Sequence, residues 1–158
     1  MNALETLGIG VVFSAGNSGP GVSTITPPKN INTDEVTIMC VGNLNGALYL
    51  AGNTNPISNG SSRGPSTCGG VGSLLIKPEV VAPGTSIRST IPSGYGNMSG
   101  TSMASPHVGG AIALLKQVAP TLTGHQIKMA LYNTAIDLGT IGEDNTYGKG
   151  LIDVYAAY

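Results

Sequence analysis

An uncharged apolar stretch of thirteen residues, Met103 to Leu115, constrains the fold of this chain more than any other feature of its sequence. The stretch suits a helix buried in a protein core, and it is too short to cross a bilayer, which needs about 20 apolar residues. The pattern around it predicts a helix from Thr101 to about Val118, which Ala119-Pro120 ends.

Apolar runs upstream of this helix predict the strands of a sheet. One strand is expected from Ile9 to about Ser14, a second from Glu35 to Leu44 and a third from Glu79 to Ala82. The second run is almost continuously apolar, which is typical of a parallel strand buried on both faces. Strands followed by helices predict an α/β layer fold with one core.

Turn and cap residues predict the connections between these elements. Gly8 is expected to end a helix formed by the first residues, and Asn45-Gly46 predicts a hairpin turn into residues 47–50. Residues 52–73 and 92–100 are predicted to be glycine-rich loops.

Two shorter helices are predicted near the end of the chain. Thr123 and Gln126 have the spacing of a capping box for a helix that runs to about Thr134. Leu151 to Ala157 is compatible with a third short helix. No internal repeat or linker divides the chain, so residues 1–158 are predicted to form one unit.

Charge and cysteine content argue against several classes of partner. Seven Lys and Arg against eight Asp and Glu give a net charge of −1, so no strong electrostatic binding of nucleic acid is expected. No membrane span is predicted, and the opening residues lack the basic and hydrophobic regions of a signal peptide. Neither the number nor the spacing of Cys40 and Cys68 suits a disulfide scaffold or a zinc site.

The chemistry of the sequence is concentrated in residues 99–108, SGTSMASPHV. Ser102 lies in the first turn of the predicted helix, where free backbone N–H groups and the helix dipole favour a developing negative charge. Gly100 lets a substrate backbone approach, and the buried helix holds the serine rigidly. These features suit a nucleophile, although an isolated Gly-Thr-Ser before a helix is more often only a cap.

The string GTSMASPHV resembles the nucleophile motif of the subtilisin-like serine proteases, the subtilases or peptidase family S8. GIGVVFSAGNSGP resembles that family's strand and oxyanion-hole loop, and SSRGPS, KPEVVAPG and YGKGLIDVYAA resemble its later elements. The resemblance runs from about residue 4 to 157 and is closest to bacillopeptidase-like members. It implies a subtilisin-like three-layer α/β fold with a parallel sheet, and peptide-bond hydrolysis through an acyl-enzyme.

The resemblance implies a role for several individual residues. Ser102 matches the attacking serine, and Asn17 matches the side chain that donates to the oxyanion, with the Ser102 backbone N–H as a second donor. Thr101 matches an auxiliary donor, and Ala15 and Gly16 match part of a substrate-pocket wall. Outside this context an asparagine such as Asn17 is more often a turn residue.

The general base is missing from this set of residues. The only histidines are His107 and His125. On one helix His107 is displaced from Ser102 by about 7.5 Å along the axis and about 140° around it, so it does not reach the hydroxyl. His125 is interpreted as a surface or capping residue.

The family's order of catalytic residues, Asp, His and then Ser, places the acid and the base upstream of the serine. The chain is therefore predicted to be the C-terminal half of a protease catalytic domain whose partner is the missing N-terminal half. Alone it is expected to be inactive, to expose apolar edges and to fold poorly.

Two alternatives compete with this interpretation. A variant of the G-x-S-x-G elbow would make the chain an esterase or lipase, but no apolar strand precedes Ser102 and no histidine follows Asp137, Asp144 or Asp153. The second alternative is a truncated or degenerate protease that acts as a non-enzymatic binding or regulatory module.

The resemblance also bears on ligands and location. No cofactor is expected for this chain, and no metal site is assigned to it, although calcium is compatible with a full domain. Glu79 resembles a position that helps to bind a weak monovalent or calcium ion in some relatives, but one carboxylate is not a site. The expected substrate is a peptide or protein, and the family implies a secreted or cell-surface location.

Overall fold

A parallel three-stranded sheet lies at the centre of the computed structural model, which describes residues 2–31 and 33–158. Its strands are β1 (Val12–Ser14), β2 (Met39–Leu44) and β3 (Val80–Pro83), and β2 lies between the other two. The predicted parallel sheet is confirmed, although β1 and β2 begin later than the sequence predicts. Before β2, the carboxylate of Asp34 accepts the N–H groups of residues 36 and 37, so this segment forms a turn instead of ladder bonds.

Four α-helices occur in the described ranges. They are α1 (Asn2–Thr6), α2 (Gly46–Leu50), α3 (Thr101–Val118) and α4 (Gly124–Asn133). The predicted bounds of α3 are confirmed, and α4 begins at the predicted capping box, in which Thr123 and Gln126 each accept a backbone N–H from the other. None of these helices combines the length and the apolar character needed to cross a membrane.

The sheet is buried on both faces, as the apolar run of β2 predicts. Met39 and Val41 lie in a core cluster with Ala104, Val108 and other residues of α3, which contacts all three strands. Cys40, which alternates with them along β2, lies in a separate cluster on the opposite face. Covering both faces of a short sheet removes enough apolar surface from water to hold its strands in place.

Two predicted connections and one predicted helix are wrong. Residues 46–50 form α2, not a strand, because the Asn45 side chain accepts the N–H of Leu48 and caps a helix. The predicted loop 92–100 contains strand β5 (Gly94–Met98), which pairs antiparallel with β4 (Ile87–Ile91).

The predicted third helix at residues 151–157 is also absent, since residues 154–157 form turns. Leu151 instead bridges two neighbours, Val81 of β3 and Ile136. The backbone hydrogen bonds that a helix would need are thus partly used by the sheet.

Several large apolar side chains are exposed in the described chain. On α3, Leu114 is 59% and Val118 55% exposed, and beside β1 Leu7 is 75% and Ile9 49% exposed. The part of α3 that faces away from the sheet borders an apolar groove of about 760 Å³, lined by Pro106, Gly110, Leu114, Gln117 and Val154 among others. This groove shares Pro106 and His107 with a separate cleft that Ser102 borders.

Candidate functional site

Ser102 stands in the first turn of α3, at its exposed N-terminal end. Its hydroxyl forms no hydrogen bond with another described residue, so the oxygen is free to react. Gly100 caps the helix with φ of 155°, a conformation that L side chains rarely adopt. A Cβ at this position would lie 3.4 Å from the Asn17 amide, an ordinary van der Waals distance, so the backbone conformation and not a lack of space favours glycine here.

Asn17 lies in the loop that leaves β1, and this loop is fixed by the segment around Ser62. The Ser62 N–H donates to the Gly16 carbonyl over 2.9 Å, and the Ser62 hydroxyl accepts the Ser18 N–H over 3.0 Å. Ala15 is fully buried and donates its N–H to the Val41 carbonyl, which extends the pairing of β1 with β2. The sheet therefore fixes where the Asn17 loop begins.

Thr101 joins this loop to α3. Its backbone N–H and its hydroxyl both donate to the Asn17 side-chain oxygen, over 3.0 and 3.1 Å, and the same hydroxyl accepts the Gly16 N–H over 3.1 Å. The Thr101 side chain is fully buried, so water does not compete for these bonds. The structure thus brings together four of the predicted residues, namely Gly16, Asn17, Thr101 and Ser102.

This network determines which end of the Asn17 amide is free. Its oxygen accepts two hydrogen bonds from Thr101, so turning the amide over would break both of them. The Nδ2 amine, which has no hydrogen-bond partner among the described residues, is left as the outward donor. A fixed neutral donor beside a nucleophile stabilises an oxyanion without reorganising in the reaction.

Two hollows flank the start of α3. A cleft of about 320 Å³ is lined by Ser102, Met103, Pro106, His107 and residues 87–89 of β4. A smaller hollow of about 200 Å³ is lined by Asn17, Gly100 and four polar or small neighbours. Ser102 therefore borders one hollow and Asn17 borders the other.

Both histidines are engaged away from the serine hydroxyl. His107 Nδ1 lies 2.8 Å from the Met103 carbonyl of its own helix, and His125 pairs with Asp34 over 3.4 Å. Partial burial opposes ionisation of Asp34, but hydrogen bonds from Thr37 and Val36 hold the pKa of its carboxyl below its usual value. The contact between His125 and Asp34 joins α4 to the segment before β2.

The three aspartates after Ser102 serve as turn caps. Asp137 accepts the Gly142 N–H, Asp144 accepts the N–H groups of residues 146 and 147, and Asp153 accepts the Ala156 N–H. Each carboxylate is thereby committed to its own loop. Among the described residues, none of these groups forms a Ser-His-Asp relay with Ser102.

The surroundings of Glu79 do not fit the cation site that the resemblance associates with this position. One carboxylate oxygen pairs with the Lys77 ammonium, and the other accepts the Cys40 N–H over 2.7 Å. Burial raises the pKa of the Glu79 carboxyl, and the adjacent Lys77 ammonium opposes that rise. In the described ranges, no group of three or more His, Cys, Asp or Glu side chains is placed to hold a metal ion.

The family resemblance predicts Thr101 only as an auxiliary donor, whereas in the structure it orients the Asn17 amide. Ser62, which holds the Asn17 loop from the other side, is not among the predicted site residues. The SSRGPS string that contains Ser62 pointed to this region only as part of the family resemblance. Neither contact has a local sequence signal, because Asn17 and Thr101 are 84 positions apart in the chain and Ser18 and Ser62 are 44 apart.

Comparison with known proteins gives a consistent set of matches. The subtilase family model matches residues 1–150. Subtilisin DY of Bacillus licheniformis is 40% identical over 151 residues, which cover 95% of this chain and 47% of that protein. The minor extracellular protease Vpr of Bacillus subtilis (strain 168) is 43% identical over 105 residues, which cover 60% of this chain and 12% of Vpr.

The solved structure of Sphericase matches this fold with a TM-score of 0.80 and 30% sequence identity, over 97% of this chain and 50% of Sphericase. The predicted subtilisin-like α/β fold with a parallel sheet is therefore confirmed. The Vpr match supports the predicted likeness to bacillopeptidase-like members. The chain spans about half the length of Subtilisin DY and of Sphericase.

Proposed function

Because the chain belongs to the subtilase family, we propose that it supplies the nucleophile and the oxyanion donor of a serine endopeptidase. The observation that carries this proposal is the Asn17–Thr101 network beside the free hydroxyl of Ser102. It leaves one amide donor directed outward at the end of the helix that bears the serine. The proposed substrates are peptides or proteins.

In the proposed reaction the Ser102 hydroxyl attacks the carbonyl carbon of a peptide bond. Its oxygen bonds to that carbon, a base takes the hydroxyl proton, and the carbonyl oxygen becomes an oxyanion facing Asn17 Nδ2 and the Ser102 N–H. The carbon–nitrogen bond then breaks as the base returns the proton to the leaving amine. Water hydrolyses the resulting acyl-enzyme and frees Ser102.

We propose that the base and its orienting acid come from the N-terminal half of the same domain. Both histidines of the chain have other contacts, and the chain spans about half of its relatives. The apolar groove along α3 and the exposed residues beside β1 provide surface for such a half. By this proposal the 158 residues alone are inactive, and the complete protein works outside the cell or at its surface. The relative Vpr is named an extracellular protease.

Labelling with a fluorophosphonate tests this proposal, because that reagent reports an activated serine. We expect no labelling of the 158-residue chain. We expect stoichiometric labelling at Ser102 when the chain replaces the matching segment of Subtilisin DY, a chimera that we call the completed domain. The same chimera with the histidine of the upstream triad changed to alanine is the control.

The outcomes separate the proposal from its alternatives. Labelling of the chain alone would show that it contains its own base. A folded completed domain that stays unlabelled and cleaves no peptide would favour a non-enzymatic module. Circular dichroism of the completed domain distinguishes that result from failure to fold.

Thr101→Val is expected to lower kcat of the completed domain about 10-fold with little change in KM, because it frees the Asn17 amide from one of two anchors. Thr101→Ser keeps the hydroxyl and should retain most of the activity. Steady-state kinetics on one peptide substrate measure both variants. A Thr101→Val enzyme as fast as the parent would show that the hydroxyl does not orient Asn17.

A further inference from the structure

Lys77 and Glu79 form an ion pair in the interior, at the entrance to β3. The side chains of Lys77 and Glu79 are 0% and 5% exposed, so both charges have left bulk water. The Lys77 ammonium also donates to the Ile38 carbonyl over 3.1 Å. It thus joins the segment before β2 to the start of β3, two places that the sheet holds side by side.

A buried carboxylate requires a cation, because an isolated charge in the interior is strongly destabilising. In proteins that cation is either a basic side chain or a metal ion. Calcium takes six to eight oxygen ligands, and an ammonium needs only a few acceptors. The oxygens that Lys77 contacts here, one from Glu79 and one from Ile38, suit an ammonium and fall short of a calcium shell.

Both oxygens of the Glu79 carboxylate already have a partner. One oxygen is paired with the Lys77 ammonium, and the other accepts the Cys40 N–H from β2. A metal would have to displace Lys77, whose four-carbon stem is completely buried, and the ammonium would then have no solvent to enter.

We propose that the Lys77 ammonium is the built-in cation of the Glu79 site. It fills the role that the family resemblance gives to a weakly bound metal at this position. Because Lys77 is covalently attached, it does not exchange with solution and its occupancy does not depend on ion concentration. The β2–β3 region of this chain is therefore stable without added metal, unlike a site that gains stability only while an ion is bound.

Thermal unfolding of the 158-residue chain, followed by circular dichroism, tests this proposal, and the completed domain replaces it in the same experiment if the chain alone does not melt cooperatively. The wild-type melting temperature should agree within about 1 °C in EDTA, in excess calcium and in excess sodium, with ionic strength matched by tetramethylammonium chloride. Lys77→Met should lower the melting temperature by roughly 6–20 °C, because it leaves a buried carboxylate without its partner. Lys149→Met is the control, since the Lys149 side chain is 37% exposed and its ammonium lies 3.9 Å from Glu143 and over the Tyr132 ring, so its loss should matter much less than that of Lys77.

A double variant keeps the test decisive if Lys77→Met does not fold. Lys77→Met with Glu79→Leu removes both charges and should recover most of the lost melting temperature. The proposal is overturned if the double variant is as unstable as the single one, or if Lys77→Met has the same melting temperature as the wild type. It is also overturned if calcium or sodium stabilises the wild type and Glu79→Gln abolishes that response, because a metal would then bind at Glu79.

Discussion

Ser102→Ala is expected to lower kcat of the completed domain by about 10⁶-fold, the scale of loss known for the same change in a subtilisin and taken from that relative. Without Oγ no acyl-enzyme forms, and only binding and the oxyanion donors remain. The hydroxyl has no structural hydrogen bond in the described chain, so its loss should leave the fold intact. Peptide hydrolysis and melting temperature, measured on the same preparation, check both statements.

Ser105→Ala is the matched control for this change. Ser105 lies one turn further along α3 and is partly buried. We expect this variant to keep nearly full activity, which would attribute the effect to the position of Ser102 and not to serine content. If Ser102→Ala retained substantial activity, another residue of the completed domain would have to be the nucleophile.

Asn17→Leu is expected to lower kcat about 10²- to 10³-fold with little change in KM, a range measured for the corresponding donor in a subtilisin. The donor acts on the oxyanion and not on the bound substrate, so its loss raises the barrier without weakening binding. Asn59→Ala, an exposed asparagine in a different loop, is the control.

The variant Asn17→Asp separates donation from architecture. An aspartate keeps an oxygen for the two Thr101 donors, so the loop should retain its position and stability. It lacks the amine and adds a negative charge near the oxyanion, so activity should fall at least as far as in Asn17→Leu. A fully active Asn17→Asp enzyme would mean that this side chain does not stabilise the oxyanion.

The elements that were predicted well are those with a strong local pattern. The apolar periodicity and stop signal of α3 gave its bounds, and the capping box gave the start of α4. The continuous apolar run of β2 correctly indicated burial on both faces of the sheet. In each case the residues that determine the structure lie within a few positions of one another.

The wrong predictions concern segments in which local signals conflict or distant contacts decide. Asn45 suits both a turn and a helix N-cap, and only the pairing of β2, which ends at Leu44, selects the cap. The β4–β5 hairpin was missed because its glycines, Gly94 and Gly96, weaken the strand pattern. Residues 151–157 carry helical spacing, but Leu151 bonds to β3 and Ile136 instead.

The candidate site could be predicted only through its resemblance to a family. Composition and spacing alone would leave Ser102 as a helix cap and Asn17 as a turn residue. No sequence pattern contains the contact between Thr101 and Asn17, 84 positions apart, that orients the Asn17 amide. Long-range hydrogen bonds of this kind depend on the assembled sheet, because β1 and α3 meet only when it has formed.

The side-chain oxygen of Asn17, which accepts both Thr101 donors, has a consequence for laboratory evolution of this chain. A single side-chain atom accepts both donors, so the two positions form one combined unit. A library that randomises either codon separately samples mostly broken pairs, apart from conservative changes such as Thr101→Ser and Asn17→Asp. New functional combinations at positions 17 and 101 become accessible when both codons are varied in the same clone.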